Sequence, residues 1–191
     1  MKLFLILIFS LSWEEIKEEY KNLENIYGKV REIIYSEGIP ACTLIGKIYV
    51  KRDLFKMVIE KPESQIIYST KDSTLIYFPS WKEVQVSKTP KFISDFFILN
   101  IDEYADSIFF GEKDFKIEIF LKKNLDLPYK KIIVILEKNN KDLKNLILVE
   151  GDVIFEFTFL LFKKNMKFSE ETFKIFLPEG VRKVKVSEFD N

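Results

Sequence analysis

The pattern of apolar and polar positions divides this chain into segments of different period. An unbroken apolar run, Leu3 to Phe9, follows a single lysine and ends at Ser10-Leu11-Ser12, a small-x-small pattern. That order is the grammar of a secretory leader, so residues 1–12 are expected to be a signal peptide and residues 13–191 the mature domain. From Trp13 the apolar positions Trp13, Ile16, Tyr20, Leu23, Ile26 and Tyr27 recur at three- and four-residue spacing, which predicts an amphipathic helix stopped by Gly28.

The period then falls to two. Val30–Tyr35, Thr43–Arg52, Leu54–Glu60, Gln65–Ser69, Thr74–Phe78 and Glu83–Lys88 are predicted strands separated by turn-type residues, the spacing of an antiparallel meander. Alternation puts Leu44, Gly46, Ile48 and Val50 on one face of their strand and Phe55, Met57 and Ile59 on one face of the next. Thr89-Pro90 opens a second amphipathic segment, Lys91–Asn100, whose Phe92, Ile93, Phe96, Phe97 and Leu99 crowd one side. Residues 101–111 carry no clear period. Strands resume at Phe115–Lys122, Lys131–Glu137, Leu146–Glu150 and Ile154–Phe162, and a last strand from Phe173 ends at Leu177-Pro178 before a charged tail.

Two helices cannot cover both faces of so large a sheet. The sheet must curl and bury one face on itself, so the predicted fold is α+β and mainly β: an incomplete antiparallel barrel plugged by amphipathic helices. An interior lined by Phe, Met, Ile and Val suits an apolar ligand such as acyl chains, and the alternative is a filled barrel with no cavity.

Composition narrows the chemistry. In 191 residues, 47% hydrophobic and 31% charged content fit one packed domain rather than a disordered chain. Thirty basic residues balance thirty acidic ones, leaving no net field to hold a nucleic acid. There is no histidine, which removes Ser-His triads, Cys-His pairs and most zinc hydrolases together, and there are 19 phenylalanines. The single Cys42 lies far from the leader and is neither half of an internal disulfide nor a lipid-attachment site. The acidic pairs Asp102-Glu103 and Glu170-Glu171 do not converge along an element, and the six glycines form no phosphate loop. No catalytic residue, metal site or cofactor is expected.

One block is more specific. Gly46-Lys-Ile-Tyr-Val-Lys-Arg52, then Leu54-Phe55-Lys-Met57 and Glu60-Lys-Pro62-Glu63, resembles the periplasmic carrier of outer-membrane lipoproteins, the LolA family. The similarity continues through Gln65–Val86 and returns at Phe173-Lys-Ile-Phe-Leu-Pro178-Glu-Gly180-Val181, like the family's closing strand with Ile175 in place of a second phenylalanine. The resemblance implies a half-closed barrel whose cavity receives the acyl chains of lipoproteins released by an inner-membrane transporter, with an outer-membrane acceptor lipoprotein as a further partner. It implies a monomeric, periplasmic protein with no enzymatic step. By position in the block, Arg52 corresponds to the arginine that latches the family's lid, a role suited to the five fixed donors of a guanidinium. Tyr20, Leu23, Ile26, Ile48, Val50, Phe55, Met57 and Ile59 become the expected cavity residues, and Phe92, Ile93, Phe96 and Phe97 the lid helix. A sensory or structural periplasmic domain of the same fold, binding a protein partner or another lipid, is the alternative.

Overall fold

The computed structural model describes residues 13–51, 54–89, 104–111, 115–124 and 128–186. Its elements, in chain order, are α1 (Trp13–Lys21), β1 (Ile26–Ser36), β2 (Ile39–Lys51), β3 (Leu54–Lys61), β4 (Gln65–Ser69), β5 (Ser73–Phe78), β6 (Glu83–Lys88), β7 (Ala105–Gly111), β8 (Lys116–Leu121), β9 (Lys131–Leu136), β10 (Leu143–Glu150), β11 (Val153–Lys164) and β12 (Arg182–Lys185). The twelve described strands join one sheet in the order β12-β6-β5-β4-β3-β2-β1-β11-β10-β9-β8-β7. The meander and the second run of strands therefore meet at the β1–β11 pair. Among the described residues the sheet is open, with β12 and β7 at its edges. The predicted leader 1–12, the predicted helix Lys91–Asn100 and Arg52 lie outside the described residues.

One face of the sheet is the core. Val30, Ile48, Val50, Ile119 and Val134 are fully buried on it, with Ile16 and Tyr20 of α1 packed in the same cluster. A nine-residue helix is about 14 Å long, whereas twelve strands span about 50 Å, so α1 cannot cover this face alone. Complete burial nevertheless extends across seven strands, β1–β3 and β8–β11.

Two expectations are corrected, and one unassigned stretch gains a strand. The first helix stops at Lys21, not at Gly28, because Ile26 pairs with both Val50 and Lys164 and the preceding loop is tied down by Asn165. The Glu24 amide donates to the Asn165 side chain at 2.9 Å, and the Asn165 amide donates to the Asn25 carbonyl at 3.0 Å. Gly28 is consequently a strand residue, and a Cβ there would stand 2.8 Å from the Phe159 ring. Its missing side chain is the space that ring occupies.

The segment after Phe173 is not a strand. It crosses the outer face of the sheet, where Lys56 Nζ donates to the carbonyls of Thr172 at 2.7 Å and Lys174 at 3.3 Å, and Phe168 packs between Tyr49 and Phe173. The supposed charged tail then forms β12, parallel to β6, with Arg182 bonded to Glu83. Finally, the unassigned stretch before Gly111 supplies β7, the outermost described strand on that side.

Candidate functional site

Strand pairing sets the expected cavity residues side by side. Ile26, Val50 and Phe55 form one row across β1, β2 and β3; Gly28, Ile48 and Met57 form the next; Val30, Gly46 and Ile59 form the third. Each of the six apolar residues expected here is at most 5% exposed. Tyr20 joins them from α1, and Leu23, just past the helix, packs against the cluster while only partly buried. Ile26 contributes to this face from a strand rather than from a helix.

The other half of the face is one that the sequence reading does not reach. Because β1 pairs with β11, Gly28, Val30, Glu32 and Ile34 stand beside Phe162, Phe159, Phe157 and Phe155. Four phenylalanines in a line give the face an aromatic centre; Phe159 and Phe162 meet edge to face at 5.4 Å, and Tyr20 lies 6.4 Å from Phe162. The alternation of Phe155, Phe157 and Phe159 within Ile154–Phe162 is the signal that local sequence carries. Adjacency to β1 has no such signal, because it joins residues more than a hundred positions apart.

The helix is fastened over this face by charge. Lys164 Nζ donates to Glu19 at 2.7 Å and to the Asn140 carbonyl at 2.9 Å, pairs with Asp142 at 3.0 Å, and sits 5.3 Å above the Tyr20 ring. The Tyr20 hydroxyl donates to the Lys141 carbonyl at 2.8 Å. Burial, helped by Asp142 and Glu19, pushes that hydroxyl well above the usual tyrosine range. A phenol so placed is a fixed donor and stays neutral.

A charged residue interrupts the apolar face. Glu32 lies in the row Leu44–Glu32–Phe157–Leu146–Val134–Ile117 and is only 6% exposed. Its carboxyl has no hydrogen bond or ion pair among the described residues, and burial raises its pKa to about 7. The next row, Cys42–Ile34–Phe155–Leu148–Ile132–Ile119, carries no charge. Tyr129 packs edge to face on Phe155 at 6.0 Å, and its hydroxyl is pushed up to about 12 by burial, then by Glu150 and Glu32. Tyr129 also walls a cleft of about 1100 Å³ with Phe120, Leu121, Lys122, Lys123 and Lys130.

Among the described residues, no three His, Cys, Asp or Glu side chains are grouped to hold a metal ion, and no helix is long and apolar enough to cross a membrane. Cys42 is a free, partly buried thiol on the strand next to β1.

No known family's sequence model matches this chain, and no curated protein matches it. Solved structures do. An uncharacterized conserved protein from Thermus thermophilus superposes with a TM-score of 0.56 at 13% identity, over 91% of this chain and 98% of that one. A LolA superfamily protein from Nitrosomonas europaea gives 0.50 at 9% identity, over 85% of this chain and 97% of that one. MucB also gives 0.50, at 10% identity, over 86% of this chain but 62% of its own length. Identities this low speak to the fold alone, and that fold is LolA-like.

Proposed function

We propose that this chain is a periplasmic carrier that shields the acyl chains of lipoproteins in its apolar interior and shuttles them from the inner to the outer membrane. The observation that supports this most is the broad apolar face built by β1–β3 and β8–β11, on which α1 packs. The LolA-like fold and the Gly46–Pro62 resemblance point the same way. In this reading residues 1–12 direct export, Arg52 latches the lid, and Phe92, Ile93, Phe96 and Phe97 form the lid's inner side. Cargo arrives from an inner-membrane lipoprotein-releasing transporter and leaves to an acceptor, with no covalent step.

Energetics constrain such a carrier. Each methylene moved out of water contributes about 0.8 kcal/mol, so one long acyl chain is worth on the order of 10 kcal/mol. A rigid, dry cavity would never release it. A lid that strains on opening solves the problem, because its return to the closed state assists the cargo's exit.

The test is organic extraction and mass spectrometry of the full chain purified from a cell envelope. Co-purifying acyl lipid or triacylated peptide is the expected result; a protein consistently free of both overturns the carrier.

A second reading, a domain of the same fold that binds a protein partner, is favoured by one feature. Phe109 of β7 and Phe120 of β8, 57% and 38% exposed, meet edge to face at 5.7 Å and form an exposed aromatic pair beside the outermost described strand. An empty protein in the extraction experiment, with a partner captured through this edge, would select it.

A further inference from the structure

Glu32 is the anomaly of the apolar face. Elsewhere in its row and the next the inner side chains are Leu, Ile, Val, Phe and one Cys, yet here a carboxyl group stands between Leu44 and Phe157. A buried carboxyl without a hydrogen bond costs stability when ionised, and a leucine at this position would fill the row without that cost. Among the described residues its strand partners leave the cost uncompensated, since Leu44 from β2 and Phe157 from β11 are apolar, and the Tyr129 hydroxyl feels its charge. Tyr129 both walls the 1100 Å³ cleft and packs on Phe155 of the next row, so one aromatic ring touches the cleft and the inner face.

We propose that Glu32 is the polar contact of the ligand face, accepting a hydrogen bond from the head group of an acyl-chain amphiphile that enters past Tyr129. The inference rests on the carrier reading and sharpens it, because it assigns the ligand a donor head, an ammonium or amide N–H, rather than a carboxylate. The chain of such an amphiphile lies along the phenylalanine row and its head meets the acceptor there. A carboxylate head meets like charge in a low-dielectric surrounding, where repulsion is strong. Lys122, Lys123 and Lys130 at the cleft are the competing choice, since they would favour an anionic head.

The experiment compares dodecylamine with dodecanoate as probes, by calorimetric titration into the full chain at about pH 8, where Glu32 is ionised. A charge-assisted hydrogen bond predicts that the amine binds about tenfold more tightly or better. Glu32→Gln, with folding checked by circular dichroism, should bring the two affinities within about threefold, and Glu32→Leu should weaken the amine further while sparing dodecanoate. Equal binding of both probes to the wild type, a preference for dodecanoate, or an amine preference that survives Glu32→Gln would overturn the assignment of Glu32 and leave the carrier standing. Binding of neither probe would overturn both.

Discussion

Replacing Glu32 by glutamine should stabilise the protein, and only at high enough pH. The carboxyl has a folded pKa of about 7 against 4.5 for an ordinary glutamate, with burial as the cause. Below pH 4.5 both folded and unfolded chains hold the proton, and burial of the neutral acid carries no ionisation penalty. Between 4.5 and 7 the unfolded chain has lost its proton while the folded chain retains it, so wild-type stability falls as pH rises. Above 7 both are ionised and the penalty is complete. At about 1.4 kcal/mol per unit, this window is worth about 3 kcal/mol. Glutamine has nearly the same shape and never ionises. The variant should therefore match the wild type at about pH 4 and exceed it by about 3 kcal/mol at about pH 8.5 in guanidinium denaturation at fixed ionic strength. Lowered carboxylates elsewhere, such as Glu60 beside Lys47, are common to both proteins and cancel in the difference. A gap that does not change with pH, or a variant less stable at high pH, would refute the reasoning, because it would mean that the ionised carboxyl has a favourable partner in the fold.

Other perturbations test the remaining assignments. Gly28→Ala should cost about 1–3 kcal/mol in chemical denaturation, since the new methyl meets the Phe159 ring at 2.8 Å; combined with Phe159→Leu the total should fall below the sum of the single changes, and strict additivity would dismiss the contact. Lys164→Met keeps the stem over Tyr20 but removes the bonds to Glu19, Asn140 and Asp142, so α1 amides should exchange about tenfold faster while the central β1–β2 amides keep their protection. Uniform acceleration would show that the helix is not an independently fastened unit. Arg52→Leu should leave the melting transition in place and impair cargo transfer between a donor and an acceptor membrane; unchanged transfer removes the latch role.

Much of this protein is legible from its alternation. A strand's two faces are decided by the residues of that strand alone, so Ile48 and Val50, or Phe55, Met57 and Ile59, can be assigned to one side before any partner is known. Those residues are buried together on the inner face. Glu32 is legible in the same sense: it continues the series Ile26, Gly28, Val30, and a charged residue in such a series marks a position where burial and charge conflict. Failures occur where two periods coincide. Leu23, Ile26 and Tyr27 fit a helical stripe by spacing, while Ile26, Gly28 and Val30 fit a strand, and local preference does not arbitrate between them. Phe173-Lys-Ile-Phe-Leu177 alternates like a strand but finds no ladder, and Phe176 is left 73% exposed.

Short-range pattern was enough to establish a predominantly β protein, the place of most strands, the apolar side of each, and the absence of histidine chemistry. Those properties depend on composition or on neighbours within a few residues. Long-range packing alone places β1 between β2 and β11, returns the chain over the outer face to lay β12 along β6, and encloses Glu32 beside Phe157. Each of these last three couples residues about a hundred positions or more apart, and backbone hydrogen bonding between strands is indifferent to side-chain identity. The choice of partner therefore falls to collective burial of the whole inner face, which no local stretch of sequence expresses.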